Sequence, residues 1–206
     1  MKLKICGMKY ADNMMEVAKL SPDFMGFIFY SKSKRFVGND FMIPEISFSI
    51  KKVGVFVNDT VENIFDKAEK YNLDFVQLHG DESAEFCSQL FQSFKFWKSS
   101  VRIIKALGIN EQYDFSILNE YESSCKYFLF DTKTKEYGGS GKSIDRNILK
   151  NYKSSKPYFL SGGLESANVG DVTPFAIDVN SKFEIEPGLK DINKLKILIT
   201  LLRRTQ

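Results

Sequence analysis

Four polar residues stand at the ends of short apolar runs, where they could do chemistry. Cys6 closes "KLKIC" (2–6), His79 closes "LDFVQLH" (73–79), Asp131 closes "KYFLFD" (126–131) and Asn180 closes "PFAIDVN" (174–180). A thiol with an ordinary pKa of about 8.5 is only a few per cent thiolate at neutral pH. Arg35 follows the run "FMGFIF" (24–29) in the loop "YSKSKR", and Gly162 and Gly163 follow "PYFLSGG" (157–163). Adjacent glycines leave backbone N–H groups open to grip a phosphate, and Asn180 and Ser181 are placed to add donors. A free cysteine is most often a small buried hydrophobe. Cys87 fits that description on a helix stripe, whereas Cys6 keeps company with polar residues.

The elements that would carry these groups are eight strand-like runs. Besides those quoted they include "KKVGVFV" (51–57) and "RIIKAL" (102–107). All are short and rich in Val, Ile and Phe, as buried parallel strands are. Helical spacing lies between most of them. Val61, Ile64, Phe65 and Ala68 share one face after a candidate N-cap at Thr60, and Ala84, Cys87, Leu90 and Phe91 form a second stripe. Leu189, Ile192, Leu195, Ile199 and Leu202 predict a C-terminal helix, and residues 40–49 a short or irregular one around Pro44. Strands alternating with helices mean a parallel α/β fold, and the count of eight favours a single-domain (β/α)8 TIM barrel over residues 1–206. An open dinucleotide-binding sheet would want GxGxxG after its first strand, and "CGMKYA" does not supply it.

In such a barrel, sites form at the C-terminal ends of strands and in the loops after strands seven and eight. Alternation of side chains then points Cys6 and Lys4 inward together, with Ile5 outward. By the same parity His79 accompanies Gln77, Asp131 accompanies Leu129, and Asn180 accompanies Asp178. Lys4 and Asp178 fall on strands that become neighbours when the barrel closes. They are expected to form an interior ion pair, because a lone charge there is costly.

Composition narrows the function classes. The chain has 206 residues, is 43% hydrophobic and carries a net charge of +3 without a basic cluster. No nucleic-acid partner is expected, whereas a small anionic substrate suits the charge. No segment approaches the roughly 18 apolar residues of a spanning helix, and the N-terminus lacks a signal-peptide core, so no membrane partner is expected. Three cysteines without CxxC spacing and one histidine predict free thiols, a cytoplasmic setting and no His- or Cys-rich metal site.

Taken in order, "KICG", Arg35, "VGVFV", "VQLHG", "LFD", "GGSGK", "LSGGL…NV" and "DVNS…PGLKD" closely resemble the phosphoribosylanthranilate isomerase family, from Lys4 to Asp191. The resemblance implies a cofactor-free Amadori rearrangement of N-(5-phosphoribosyl)anthranilate in tryptophan biosynthesis. It implies Cys6 as general base and Asp131 as general acid, with Arg35, His79 and Asp178 on the substrate. The phosphate would rest on Gly162, Gly163, Asn180 and Ser181. The partner is the phosphosugar-anthranilate substrate, and the chain acts as a monomer or homodimer. Lys182 stands where the family commonly has a glycine.

Two other readings compete. One is a different phosphosugar-processing barrel enzyme, for which Lys105 in "RIIKAL" is the candidate Schiff-base lysine. The other is a non-catalytic phosphosugar-binding barrel, which should have lost its acid or its base.

Overall fold

The eight apolar runs become eight parallel strands, and the first and last of them join. The computed structural model describes residues 1–132, 146–162 and 174–204. Strands β1 (Lys2–Ile5), β2 (Phe24–Ile28), β3 (Lys51–Phe56), β4 (Phe75–Leu78), β5 (Arg102–Ile109), β6 (Cys125–Thr132), β7 (Tyr158–Ser161) and β8 (Ala176–Val179) follow in sequence around a closed barrel. Closure is set by β1 pairing with β8, which puts Lys4 opposite Asp178.

Helices α1 (Ala11–Lys19), α2 (Val61–Lys70) and α3 (Ala84–Phe96) pack outside the strands. Thr60 caps α2 by accepting from the Asn63 N–H at 3.2 Å, and Ser83 caps α3 by accepting from Phe86 at 3.2 Å. Each cap satisfies a backbone donor that the first helical turn cannot. Ile64 and Ala68 of α2 and Cys87, Leu90 and Phe94 of α3 are buried. Cys87 is therefore core, as its stripe predicts.

Two expectations are corrected. Residues 40–49 form no helix; the segment is irregular and ends in a turn. Pro44 withholds an N–H and biases the residue before it away from helical backbone. Phe41 and Ile50 are buried, pinning the segment near both ends, and Phe41 packs against Phe27, Phe29 and Tyr71. The C-terminal helix, α4, spans Ile192–Arg204 and does not include Leu189. That residue lies in β10 (Leu189–Lys190), antiparallel to β9 (Glu184–Glu186). The Asp191 carboxylate accepts from the Asn193 and Lys194 N–H groups at 3.0 and 3.1 Å, starting the helix after the hairpin.

Inside the barrel the two ends differ. At the N-terminal end Phe24, Val53, Ile104, Ala106, Leu129, Phe159 and Ala176 form one apolar cluster, against which Phe75, Tyr127 and Phe175 pack. At the other end Cys6, Ile28 and Val55 form a small cluster beside Tyr30. The outward residues Ile5, Val76, Leu78, Phe130, Ile177 and Val179 join the larger core beneath the helices. The inward and outward sets follow the parity expected from the sequence.

Candidate active site

Cys6 emerges from β1 into space made by two glycines. A Cβ on Gly26 of β2 would stand 2.6 Å from the Cys6 Sγ, so only glycine admits the thiol there. Gly7 has φ +73°, and a Cβ on it would meet Asn180 Oδ1 at 2.6 Å and the Arg35 side chain at 2.8 Å. The glycine of "KICG" thus lets the chain turn and lets Arg35 and Asn180 lie over the end of β1.

Below the thiol, Lys4 Nζ donates to Asp178 Oδ1 at 2.8 Å, with both side chains buried. The interior ion pair expected from parity is present. Burial works to strip the Lys4 proton, but Asp178 and the neighbouring thiol hold it on, and the pKa lies above its usual value. Burial pushes the Cys6 thiol up; the Lys4 and Lys190 ammonium groups oppose this and Asp178 adds to it. The thiol thus sits among two buried lysines and one buried carboxylate, with burial the largest influence on it.

Across the mouth His79 and Asp131 come together, with Nε2 3.6 Å from Oδ2. The side-chain amide of Gln77, one step deeper on β4, lies 2.8 Å from His79 Nδ1 and fixes the ring. The carboxyl of Asp178 feels the charge of both Asp131 and His79, which links the ion pair below the thiol to the groups across the mouth. Acid and base candidates thus face one mouth from β6 and β1.

Gly162 follows β7 with φ +81°. Gly163, its partner in the expected phosphate loop, lies outside the described residues, as do "GGSGK" and the segment after Gly163. Ser181 opens a short 3-10 turn, Ser181–Phe183. The Asn180 side-chain oxygen accepts from Lys190 Nζ at 2.8 Å. Arg35 forks onto Glu184, with Nε 2.9 and 3.0 Å and Nη2 2.7 Å from the carboxylate.

Glu184 and Lys190 escaped the sequence reading although both lie in "DVNSKFEIEPGLKD". The signal was the "EPG" turn after the last strand, which announces a hairpin that folds its two ends together. Lys105, the candidate Schiff-base lysine, is placed elsewhere. It points away from the lumen, and its Nζ is 2.7 Å from Glu82 Oε2 in a buried pair. Its neighbours on β5, Ile104 and Ala106, take the interior positions. Among the described residues no group of three or more His, Cys, Asp and Glu side chains could hold a metal ion, and no helix is long and apolar enough to cross a membrane.

Comparison with known proteins agrees with this geometry. The family model for N-(5'phosphoribosyl)anthranilate (PRA) isomerase matches residues 3–200. The N-(5'-phosphoribosyl)anthranilate isomerase of Parabacteroides distasonis is 46% identical, over 97% of this chain and 92% of its own. The phosphoribosyl anthranilate isomerase of Thermotoga maritima, a dimeric enzyme, superposes with a TM-score of 0.83 at 35% identity, covering 98% of each chain. A phosphoribosyl anthranilate isomerase solved with reduced 1-(o-carboxyphenylamino)-1-deoxyribulose 5-phosphate superposes with a TM-score of 0.77 at 29% identity, again over 98% of each chain. With eight strands in one closed barrel, and a family match over nearly its whole length, this chain belongs to the N-(5'-phosphoribosyl)anthranilate isomerase family.

Proposed function

We propose that the chain catalyses the Amadori rearrangement of N-(5-phosphoribosyl)anthranilate, with Asp131 as general acid and Cys6 as general base. Asp131 protonates the furanose ring oxygen, and the ring opens to a protonated imine. Cys6 as thiolate takes the proton from C2′, giving an enolamine that tautomerises to the aminoketose. Arg35, His79 and Asp178 bind and orient the anthranilate end and the opened chain. Gly162, Gly163, Asn180 and Ser181 hold the phosphate, with backbone N–H groups as the main donors.

The observation that carries this reading is the arrangement of the mouth: a thiol after β1 beside the Lys4–Asp178 pair, and on β6 a carboxyl paired with His79 whose charge reaches Asp178. Each sugar face then meets one proton-handling group, and neither has to cross the ring. The cytoplasm suits the three free cysteines, and the working unit is a monomer or a homodimer, which sedimentation decides.

The experiment follows anthranilate fluorescence as the phosphoribosyl amine is consumed. Cys6→Ala and Asp131→Asn should each lose about 10²–10⁴-fold in kcat while keeping the fold, the range expected for one acid or base. Unchanged turnover in either variant removes that residue from its role.

A further inference from the structure

The hairpin that follows β8 places a second charged pair beside the thiol. Lys190 is fully buried, and its Nζ lies 2.6 Å from Glu184 Oε1 and 2.8 Å from Asn180 Oδ1. The same Asn180 oxygen sits over Gly7, next to the thiol in sequence, and the Cys6 N–H donates to Val179 O at 2.9 Å. Glu184 in turn holds Arg35 through two nitrogens. The hairpin is anchored to α1 from the far side. Asn13 accepts from the Lys190 N–H at 2.8 Å and donates to its carbonyl at 3.0 Å. A buried ammonium is costly unless its geometry does something. Here it is kept where no solvent screens its field from the thiol.

We propose that Lys190, held by Glu184, is a positioning residue of the active site: its ammonium favours the Cys6 thiolate, and the same carboxylate fixes Arg35 over the end of β1. This rests on Cys6 acting as the base. The charged groups around Cys6 are Lys4 on β1, Asp178 on β8, Arg35 after β2 and Lys190 on β10; Glu184, His79 and Asp131 stand behind them. Asp178 opposes the thiolate, and Lys4 favours it while also pairing with Asp178. Lys190 is a second cation on the same thiol, and its own anion also serves Arg35. Burial lowers the Lys190 pKa, and the charge and hydrogen bond of Glu184 oppose that fall. The Glu184 carboxyl, although burial pushes it up, is held below its usual range by Arg35 and Lys190.

The test is a titration of the Cys6 thiolate by its ultraviolet absorbance, corrected with Cys6→Ser, beside the pH profile of kcat/KM. A base must be deprotonated, so activity rises with pH through the thiol pKa. Lys190→Gln should move both the absorbance titration and this rising limb upward by about one pH unit. Lys190→Arg, which keeps the charge, should leave both in place. The proposal is overturned by a Lys190→Gln titration that stays put, or by a Lys190→Arg shift as large as that of Lys190→Gln. Should Lys190→Gln fail to fold, Asn13→Ala replaces it. Loosening the hairpin should raise the thiol titration, and an unmoved one overturns the proposal. Failure of the base role itself is read separately, in the turnover of Cys6→Ala, on which the titration does not depend.

Discussion

The lower half of the barrel lumen is filled with rings, the upper half with charges. Below, Phe24 meets Phe159 edge-on at 5.1 Å and Tyr127 stacks on Phe175 at 4.8 Å. Above, Lys4, Asp178, Gln77, His79 and Asp131 share the space with one thiol. Aromatic packing supplies stability without direction, and the charges supply direction while contributing little net stability. The same eight strands run through both halves, so the two tasks are separated by height along each strand.

Three substitutions would break or sharpen that contrast. The largest effect is expected from Lys4→Met, which strands the buried Asp178 carboxylate. Loss of about 3–5 kcal/mol in denaturant unfolding should accompany a collapse of turnover, since the upper half couples both. Next, Phe159→Ala opens a hole among the lower rings and should cost about 3 kcal/mol. Its kcat, measured on the remaining folded protein, should stay close to that of the parent; a large fall in kcat would show that the halves are not separate. Smallest is Thr60→Ala, outside the lumen altogether. Loss of the α2 cap should lower stability by about 1 kcal/mol with kinetics untouched, and thermal unfolding is sensitive enough to see it.

How much of this was legible in the sequence follows from the range of each interaction. The strands could be read because eight apolar runs repeat, and alternation along each run assigns its inner face. Closure of the barrel then made Lys4 and Asp178 neighbours across 174 residues, a contact that parity could predict. Gln77 beside His79 came from the same rule. The grip of Glu184 on Arg35 could not be read this way, because 149 residues separate them and neither lies within a barrel strand. Leu189 was misassigned because its spacing to Ile192 continues the helical stripe. The capping carboxylate of Asp191 interrupts that stripe, and periodicity does not register a cap. Residues 40–49 carried too weak a pattern to outweigh Pro44 and the anchoring of Phe41.

Glu82 has a consequence for the mouth although it never enters it. From the helix side its carboxylate receives the N–H groups of Asn58 and Gly80 and the ammonium of Lys105. Lys105 also donates to the Gly80 carbonyl at 2.8 Å. The rim after β3 and the rim after β4 are thereby bolted together from the exterior, one residue past His79. An imidazole mounted on an externally braced rim needs only the Gln77 amide beside it in the cavity to keep its aim.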